Sequence, residues 1–500
     1  MSYKPQDELQ RDAKRLLDNL LARKEPLKPK DRLAIPPQDA PCQDPKERIR
    51  NQREVRQVYT PEQARLEAMR CLQCKNKPCV AGCPVHIDIP EFIKRIADGD
   101  NQGAINVIKQ KSLLPAICGR VCPQEVQCQE PCMVGKALKD VDKAVGIGRL
   151  ERFAADIERS QGKNEIPAVK PETGLKVAVV GSGPAGLVAA GDVRRQGHSV
   201  TILEAFHKTG GVMRYGIPEF RLPKEIVDQE TETLIKMGVD IRCNFVVGRT
   251  RKLVDLFAKD HFDAVFLGTG AGLPTFLGIE GETLVGVFAA NEYLTRANLM
   301  NAYDRENADT PIYLAEKVAV FGGGNVAMDA ARVALRLGAR EVSVIYRRTE
   351  AEMPARKEEI EAAMEEGVRF QFLQNAKRFI GNEKKRLTAM ECLRYELGAP
   401  DKSGRPRPVA IPGSEFIMDL NAAIIAVGNN SNPLIKMTTP DLETNKWGNI
   451  IVNEVGKTSF DRVYAGGDIV LGAATVILAM GQGQVAAKAI NEMLANNAGL

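Results

Sequence analysis

Most of the cysteines, eight of eleven, lie in two short stretches of the chain. The first stretch, CLQCKNKPCVAGCP, has the spacing C-x2-C-x4-C-x3-C-P and contains Cys71, Cys74, Cys79 and Cys83. The second stretch, CGRVCPQEVQCQEPC, contains Cys118, Cys122, Cys128 and Cys132. Tight cysteine loops supply several thiolates to an iron–sulfur cluster, and a more distant residue completes the ligand set. This pattern therefore predicts iron–sulfur clusters, and a count of the cysteines alone assigns all eight to them.

Zinc is the main alternative occupant of such cysteines. Zinc sites favour paired C-x2-C knuckles and often include histidine, whereas this region has a single C-x2-C and one nearby histidine, His86. In two-cluster ferredoxins the cysteine before a proline serves the other cluster, and the middle spacing here is two residues longer than in the bacterial run. The remaining cysteines, Cys42, Cys243 and Cys392, stand alone and are interpreted as ordinary thiols.

Two glycine-rich turns further along the chain have the pattern of dinucleotide sites. The first, GSGPAG, follows a β-branched run and opens a helical pattern, and the acid Glu204 comes about 20 residues later. The glycines let the backbone approach a pyrophosphate, the helix N-terminus favours its charge, and Glu204 accepts from a ribose hydroxyl. The residues predicted to form this site are Gly181, Gly183, Pro184, Ala185, Gly186 and Glu204.

The second turn, GGGNVAMD, predicts an NADP(H) site formed by Gly322, Gly323, Gly324, Asn325 and Val326. The next strand pattern, EVSVIYRR, ends on Arg347 and Arg348, where the first repeat has an acid. An acid at this position prefers an unmodified ribose, whereas arginine suits a 2′-phosphate, so NADPH is favoured over NADH. A solvent-facing basic pair is the alternative interpretation.

The sequence AGGD near the C-terminus resembles the second signature of flavoproteins related to the disulfide reductases. In that signature the aspartate, here Asp468 after Gly467, meets the ribityl–phosphate region of a flavin, and the following helix start, at Ala474 and Thr475, faces the flavin ring; all four residues are predicted to bind FAD. A helix N-terminus stabilises negative charge on a reduced flavin. The first glycine turn is then an FAD site and the second lies in an inserted NADPH domain. Two nicotinamide domains without flavin would leave AGGD unexplained.

The cysteine stretches and the glycine turns are expected to lie in two different kinds of domain. The region up to residue 170 alternates helical patterns, such as TPEQARLEAM and IPEFIKRIADGD, with the cysteine stretches and shows no strand period, which predicts a small α-helical domain. Beyond it, LKVAVVGSGPAGLVAAGDVRRQGHSVTILE and EKVAVFGGGNVAMDAARVALRLGAREVSVIYRR form an imperfect internal repeat. The predicted fold class is α/β: a helical iron–sulfur domain followed by two doubly wound nucleotide-binding domains, one inserted in the other.

The predicted domain boundaries follow from this repeat. The helical domain spans residues 1–170, the FAD domain spans 171–294 and 430–500, and the NADP(H) domain spans 295–429. Strands are also expected in FDAVFLGTGA and NAAIIAVGNN, and DRVYAGGDIVLGAATVILAMGQGQVAAKAI is expected to form a strand, a loop and a long C-terminal helix.

Composition narrows the functional classes further. The chain has 500 residues, 44% of them hydrophobic, and a net charge of +5, which is too mild and too dispersed to indicate nucleic-acid binding. There is no run of 18 apolar residues that could cross a membrane. The polar start MSYKPQDELQ lacks the apolar stretch of a secretory signal, so a cytoplasmic location is expected.

From about residue 45 to its end the chain resembles the small subunit of NADPH-dependent glutamate synthase and its relatives. Those relatives include the large subunit of the electron-bifurcating NADH-dependent ferredoxin–NADP oxidoreductase, the sulfide dehydrogenase flavosubunit and the N-terminal half of dihydropyrimidine dehydrogenase. The motifs that carry the resemblance are CLQC, PAICGRVCPQE, AVGIGRLERF, GSGPAG, GGVMRYGIPEFRLPK, GGGNVAMD and AGGD.

The resemblance implies FAD, NADP(H) and two [4Fe–4S] clusters with defined ligands. One cluster would be held by Cys71, Cys74, Cys79 and Cys132, and the other by Cys83, Cys122, Cys128 and Glu151. Cys118 is then a spare thiol, which disagrees with the count that assigns all eight cysteines. The resemblance also places GGVMRYGIPEF, with Gly211 and Arg214, close to the flavin ring, and it requires no acid–base residue because hydride passes directly from nicotinamide to flavin.

The predicted function is an NADP(H) oxidoreductase subunit that passes electrons through its clusters to a partner. The preferred activity is that of the ferredoxin–NADP transhydrogenase large subunit, whose partner is a small flavin and [2Fe–2S] subunit that works with ferredoxin. The alternatives are the glutamate synthase small subunit, whose partner is the large synthase subunit, and the sulfide dehydrogenase flavosubunit. From another class, a zinc-stabilised nucleotide-binding scaffold remains open. An autonomous disulfide reductase would need a C-x2-C beside the flavin, and the nucleotide-binding segments have none.

Overall fold

The computed structural model of the chain describes residues 4–162, 165–401 and 404–498. Its N-terminal part is helical, as the sequence predicts, and contains no β-strand within residues 4–162. The helices here are α1 (Gln6–Leu21), α2 (Pro29–Ala34), α3 (Pro45–Arg48), α4 (Pro61–Met69), α5 (Pro78–Ala81), α6 (Ile89–Asp98), α7 (Asn101–Lys109), α8 (Pro115–Val121), α9 (Met133–Ala137) and α10 (Ile147–Ser160). Short 3₁₀ turns at Gln124–Val126 and Val141–Lys143 complete this domain.

Local capping sets where the helices that flank the cysteines begin and end. Helix α4 starts at a reciprocal pair of bonds between Thr60 and Gln63, with Pro61 in its first turn, and stops just before Cys71. Helix α6 is capped by Asp88, which accepts from the Glu91 amide, and ends on Gly99 in the left-handed conformation. The first cysteine stretch therefore lies between these two capped helices.

The second part begins with strands and helices in alternation. They are β1 (Lys176–Val180), α11 (Pro184–Arg195), β2 (Ser199–Leu203), α12 (Val212–Tyr215), α13 (Lys224–Lys236), β3 (Asp240–Arg242), α14 (Leu253–Ala258) and β4 (Ala264–Leu267). Strand β1 is buried over four of its five residues, as expected for the centre of a parallel sheet.

The third part is the inserted domain with the second glycine turn. Its elements are β5 (Leu273–Pro274), β6 (Val287–Ala289), α15 (Ala290–Asn298), β7 (Lys317–Phe321), α16 (Asn325–Arg336), β8 (Glu341–Tyr346), α17 (Lys357–Glu365), β9 (Arg369–Phe372), β10 (Gln374–Gly381), β11 (Leu387–Pro400), β12 (Pro406–Ala410), β13 (Phe416–Asp419), β14 (Ala422–Ile425) and β15 (Asn429–Asn430). The chain then returns to the first sheet through α18 (Leu434–Thr438), β16 (Val463–Ala465), α19 (Asp468–Leu471) and α20 (Val476–Ala498).

Two five-stranded parallel sheets result, with the orders β16-β4-β1-β2-β3 and β6-β14-β7-β8-β9. The second sheet lies between two segments of the first along the chain, so the predicted insertion of one doubly wound domain in the other is confirmed. The two crossings between the domains, β5 and β15, pair with each other in antiparallel fashion. They form a short ribbon that joins the two sheets.

Two features of the inserted domain differ from the sequence-based expectation. Strand β6 pairs with β14 in the second sheet, so it belongs by its hydrogen bonds to that sheet and not to the segment that ends at residue 294. Strands β10 to β13 form an antiparallel sheet, with β11 at its centre, which the sequence analysis did not predict. Strand β11 combines buried and exposed positions with no regular alternation, so its sequence carries a weak strand signal.

A large apolar core joins the helical domain to the first parallel sheet. It includes Ile93, Ile105 and Phe153 of the helical domain together with Val179 and Leu187 beside the first glycine turn. The inserted domain has its own core around α16 and β7. The helical domain therefore packs as one body with the first sheet. No helix in the described ranges is both long and apolar enough to cross a lipid bilayer.

Candidate iron–sulfur and nucleotide sites

Two neighbouring cavities in the helical domain divide the clustered cysteines into two sets. The first, called the outer cavity here, is lined by Cys71, Cys74, Cys79 and Cys132. Cys71 and Cys74 follow α4, Cys79 lies in α5, and Cys132 precedes α9. Cys71, Cys74 and Cys79 are only partly buried. Burial raises the pKa of the Cys79 thiol to about 12, and the nearby Cys71 and Cys132 add to this rise.

The second, called the inner cavity here, is lined by Cys83, Cys122, Cys128 and Glu151. Cys83 comes from the first cysteine stretch, Cys122 and Cys128 come from the second, and Glu151 projects from α10. All four residues are buried. The structure thus brings together the same two sets that the family resemblance implies. Cys83, the cysteine before a proline in the first stretch, lies with the cysteines of the second stretch.

The surroundings of Glu151 are those expected of a side chain that binds a metal cluster. Its side chain is 6% exposed, and its Oε1 atom has no hydrogen-bond partner. Burial raises the pKa of its carboxyl to about 8. Buried carboxyl oxygens are normally hydrogen-bonded, and an exception calls for a bound partner of another kind. A metal bond would supply one, so Glu151 fits the fourth position of a cluster.

Cys118 has a different environment from the other clustered cysteines. Its Sγ atom lies 3.4 Å from Sδ of Met480 and 3.9 Å from Oγ of Ser112, and it hydrogen-bonds the thiol of Cys122. It does not line the inner cavity, whereas Glu151 does. The geometry therefore follows the ligand set with Glu151 and departs from the count that assigns all eight cysteines.

Each cavity presents four candidate ligands, the number that one [4Fe–4S] cluster takes. The residues present therefore fit this group.

The first glycine turn has the shape of a pyrophosphate cradle. Gly181 has a φ of +98°, and a Cβ there would lie 2.5 Å from the carbonyl oxygen of Gly268. A Cβ on Gly186 would lie 2.0 Å from the oxygen of Gly181, so the helix packs directly on the turn. Gly183 faces open space and caps α11 with no side-chain bond to the first amides. Those amides are free to bind an anion.

Glu204 lies at the end of β2, where the sequence predicts a ribose acceptor. Its Oε2 accepts from the amide of Ser182 at 2.8 Å, and its Oε1 accepts from the amide of Phe206 at 2.8 Å. The hydroxyl of Ser182 also donates to Oε2. A carboxylate has about four acceptor sites, so one remains for a ribose hydroxyl.

The AGGD segment and the start of α20 close the other side of this site. Asp468 accepts from the amide of Ala474 at 3.3 Å, and burial raises the pKa of its carboxyl to about 6. Thr475 accepts from the amide of Leu478 and so caps α20. A Cβ on Gly467 would lie 3.0 Å from Ala185, which places AGGD against the first glycine turn.

The loop 210–220 folds over the first turn from the other direction. A Cβ on Gly211 would lie 2.8 Å from Cα of Gly183, so only glycine fits there without displacement. Arg214 donates from Nε to the carbonyl of Thr209 at 2.8 Å and forms an ion pair with Asp228. The guanidinium of Arg214 is thus engaged in holding the loop itself.

The second glycine turn opens α16 in the same manner. Gly322 has a φ of +138°, and a Cβ there would lie 2.3 Å from the oxygen of Ala426. Gly323 packs on the ring of Tyr346, and Gly324 caps α16 without a side-chain bond. Asn325 accepts from the amide of Arg356 at 3.0 Å. Val326 is 40% exposed at the mouth of the turn.

The prediction that both Arg347 and Arg348 face a 2′-phosphate requires a correction. Arg348 is buried, and it donates to the carbonyl of Pro406 at 2.8 Å and to Asp401 at 2.9 Å. Its charge therefore anchors β8 to the antiparallel sheet that the sequence analysis missed. Arg347 is exposed and is the member of the pair that remains for a phosphate.

Helix α20 connects the first nucleotide site to the inner cavity, a contact that the sequence analysis did not predict. Ile477, in the first turn of α20, lines the inner cavity beside the cysteines. One turn further on, a Cβ on Gly481 would lie 2.9 Å from the carbonyl oxygen of Pro84, directly after Cys83. The inner and outer cavities in turn share Ile89 and Ile147 in their walls.

A second missed contact ties the end of the loop 210–220 to the inserted domain. Arg221 donates from Nη1 to both oxygens of the Asp329 carboxylate at 2.7 Å, and Asp329 lies in α16. Phe220 is fully buried in the core of the inserted domain, below the guanidinium of Arg336 at 3.8 Å. The motifs GIPEFRLPK and GGGNVAMD contain these residues, but nothing in either motif identifies the other as its partner.

Comparison with known proteins matches both parts of the chain to described families. Residues 48–163 match the family described as dihydropyrimidine dehydrogenase domain II, 4Fe-4S cluster. Residues 175–490 match the pyridine nucleotide-disulphide oxidoreductase family, over more than half of the chain. The chain belongs to this oxidoreductase family.

Relatives of this oxidoreductase include subunits of larger enzymes. It is 40% identical to the NADP(+)-dependent formate dehydrogenase subunit beta of Moorella thermoacetica over 83% of its own length, and it spans 60% of that relative. It is 36% identical to the glutamate synthase [NADPH] small chain of Escherichia coli K12 over 88% of its own length and 93% of that chain. The structure of FprA from Mycobacterium tuberculosis in complex with NADPH shares the fold over 66% of this chain and 86% of FprA, with 21% identity and a TM-score of 0.54.

These matches confirm the broad predictions from the sequence. The chain is an NADP(H)-dependent oxidoreductase with a helical 4Fe–4S domain and nucleotide-binding α/β domains, similar to the glutamate synthase small chain and the formate dehydrogenase beta subunit. FAD, NADP(H) and [4Fe–4S] clusters are the cofactors of this group. The scaffold alternative, which assigned no redox activity, is not supported.

Proposed function

We propose that this chain passes hydride between NADP(H) and FAD. Single electrons then pass from FAD through two [4Fe–4S] clusters to a partner subunit. When bound, FAD exchanges a hydride with the nicotinamide, and the clusters carry single electrons. The observation that supports this most strongly is the chain of contacts from α20 to the inner cavity, and across Ile89 and Ile147 to the outer cavity. The outer cavity, with its partly exposed cysteines, lies at the surface end of that path.

The residues that would hold the clusters are those of the two cavities. We propose Cys71, Cys74, Cys79 and Cys132 for the outer cluster, and Cys83, Cys122, Cys128 and Glu151 for the inner cluster. Their environment supports this, because the side chains that line each cavity include one complete ligand set and no cysteine of the other set. Buried thiols bind metal with release of their protons.

The nucleotide sites take their residues from the two glycine turns. For FAD we propose Gly181, Gly183, Pro184, Ala185, Gly186, Glu204, Gly211, Arg214, Gly467, Asp468, Ala474 and Thr475. For NADP(H) we propose Gly322, Gly323, Gly324, Asn325, Val326 and Arg347. In both sites the free amides of a helix N-terminus bind phosphate, and no side chain is required to transfer a proton. The proposed division into domains stays as predicted, except that β6 joins the NADP(H) domain.

For the finer activity we propose the large subunit of a ferredoxin–NADP transhydrogenase. Its partner would be a small subunit with a flavin and a [2Fe–2S] cluster that works with ferredoxin. The glutamate at the inner cavity supports this choice, since Glu151 is buried with an unpaired oxygen where a fourth cysteine would otherwise be needed. The AICGRVCP context of the second cysteine stretch supports it as well.

A second candidate is the small subunit of a glutamate synthase. The observation in its favour is the 36% identity to the Escherichia coli small chain, which extends over 93% of that relative. In that case the partner would be a large subunit with the glutaminase and synthase sites.

Anaerobic purification of the native chain with whatever is bound to it separates these candidates. We expect a brown protein with acid-labile sulfide whose flavin bleaches on addition of NADPH. A small flavoprotein partner and NADPH-dependent reduction of ferredoxin, in the presence of NAD⁺, would support the transhydrogenase. A large amidotransferase partner and glutamate formation from glutamine and 2-oxoglutarate would overturn it in favour of glutamate synthase. A colourless protein would contradict both.

A further inference from the structure

The N-terminal segment, residues 4–45, lies ahead of the region that matches the 4Fe–4S family, which begins at residue 48. Its helix α1 packs on α4 through a small apolar cluster formed by Ala13, Leu17, Ile35 and Leu66. Helix α4 leads directly into Cys71, so this segment braces the element that presents the first cysteine of the outer cavity.

Arg32, in α2 of this segment, reaches the backbone of that cysteine. Its Nη1 donates to the carbonyl oxygen of Met69 at 2.9 Å and to that of Cys71 at 3.0 Å. Across the described ranges Arg32 has no carboxylate within 4.0 Å, whereas the neighbouring Asp31 pairs with Arg23. A positive charge that no acid neutralises is therefore held on the peptide of a proposed cluster ligand.

Gln73 approaches the same cysteine from the other side. Its Nε2 lies 3.4 Å from Sγ of Cys71 and donates to the carbonyl of Pro90 at 3.0 Å. The backbone of Gln73 is left-handed, with a φ of +53°, which turns the side chain back toward the sulfur. At the inner cavity, the backbone amides of Val85 and Ile87 hydrogen-bond Cys83, but Oε1 of Glu151 has no donor.

We propose that Arg32 and Gln73 are positioning residues that raise the reduction potential of the outer cluster above that of the inner one. The inference rests on the ligand sets proposed above. Reduction adds one negative charge to the cluster, so a fixed cation and an N–H donor to a ligand sulfur stabilise the reduced state. A higher potential at the surface end of the path favours electron flow outward from the flavin.

The inference gives the N-terminal segment a role in redox tuning. If the N-terminal segment only supports α4 through the apolar cluster, removal of the Arg32 charge should leave the reduction potential of the outer cluster unchanged. A tuning role requires the charge and the N–H donor themselves. The two roles are separated by variants that keep the packing and alter only these groups.

The experiment is an EPR-monitored redox titration of the full chain with its cofactors, for Arg32→Gln, Gln73→Met and the double variant. Each single change is expected to lower the reduced-to-oxidised ratio of the outer cluster, at a fixed potential, by up to about tenfold, which is about 59 mV for one electron. The double variant shows a larger shift, and the inner cluster stays where it is. Arg32→Lys keeps a charge and retains most of the wild-type potential.

The matched control is Lys30→Gln, which removes an exposed charge from the same helix and is expected to cause no shift. An outer cluster whose potential is unchanged in both Arg32→Gln and Gln73→Met overturns the inference. An equal shift of both clusters, or a shift in Lys30→Gln as large as in Arg32→Gln, does so too. If Arg32→Gln loses iron, Gln73→Met alone decides by the same criterion. Two missing cluster signals in the unmodified chain would instead contradict the proposed function.

Discussion

The outer and inner cavities use the same cysteine stretches but differ in ligand type, burial and surroundings. The outer cavity has four cysteines, three of them partly exposed, and polar groups that reach Cys71. The inner cavity has three cysteines and Glu151, all buried, and an isoleucine of α20 in its wall. Adjacent loops of one short domain thus produce two environments with different access to solvent and to the flavin site.

This difference indicates a direction for the electron path. Low dielectric surroundings and the loss of solvent favour the less charged, oxidised state of a cluster, whereas nearby donors and cations favour the reduced state. The inner cavity is closer to the first kind, since it is buried and the donors to its Cys83 are backbone amides, and it lies against the helix that starts at the proposed flavin site. The outer cavity provides the second kind and lies at the surface. We therefore expect the inner and outer clusters to differ in their response to ligand removal and in their rate of loss to oxidants and chelators.

The largest effect is expected from removal of an inner ligand. Even the loss of a group outside the ligand set costs about 10–100-fold in metal affinity, so Cys128→Ala should empty the inner site altogether. NADPH should still bleach the flavin, while transfer to an external one-electron acceptor should fall by roughly 100-fold or more. Stopped-flow absorbance and steady-state reduction of the acceptor measure the two rates.

The matched variant for that experiment is Cys74→Ala in the outer cavity. It should remove the other cluster and leave reduction of the inner one by the flavin intact. If Cys128→Ala still passes electrons to the acceptor at the normal rate, the order flavin, inner, outer is wrong.

The next effect separates Glu151 from Cys118 as the fourth inner ligand. Glu151→Ala removes the buried carboxyl that lines the cavity, so about half of the iron should be lost and the EPR signal of the inner cluster should disappear or change. Cys118→Ala should keep full iron and an unchanged spectrum, because its sulfur lies behind the cavity wall, against Met480 and Cys122. Iron analysis and EPR of both variants check this. Full iron and unchanged EPR in Glu151→Ala would refute the assignment.

The sequence predicted much of this arrangement because its signals are local. The cysteine spacings, the two glycine turns and the acid at Glu204 each lie within one short segment, and each of these segments has the predicted secondary structure. Glu151 was found through the resemblance of its helix, since a lone glutamate in α10 has no pattern of its own. The burial of Glu151 with an unpaired oxygen is the physical reason for that choice, and only the structure contains it.

The features that the sequence did not reveal depend on residues far apart along the chain. Arg348 was predicted to bind phosphate, but its guanidinium is taken by Asp401 and by Pro406, more than 50 residues away. The contact of Gly481 with Pro84 joins the C-terminal helix to the first cysteine stretch. Neither contact leaves a periodic or compositional signal, because each partner is an ordinary residue of its own segment.

A smaller effect is expected from the difference in solvent access. The partly exposed thiols of the outer cavity should admit oxidants and chelators that the buried inner set excludes. On mild treatment with ferricyanide or a chelator, the outer cluster should be lost several-fold faster than the inner one. Rapid-freeze EPR during the treatment follows the two signals. Equal rates of loss would show that burial in the folded chain does not protect the inner site.

The smallest effect concerns the fit of α20 on the inner cavity. Gly481→Ala places a Cβ 2.9 Å from the carbonyl oxygen of Pro84, so α20 or the loop after Cys83 must move. Alanine gains about 1 kcal/mol over glycine in a helix interior, while overpacking costs about 1–3 kcal/mol, so the net change in stability should be small. The displacement acts on the contact between the flavin-side helix and the inner ligands, so cluster reduction after flavin bleaching should slow a few-fold. Val485→Ala, at an exposed position of the same helix, should leave this rate unchanged. A normal rate in Gly481→Ala, at a melting temperature within a few degrees of the unmodified chain, would mean that this contact is packing alone and that the path enters the inner cavity elsewhere.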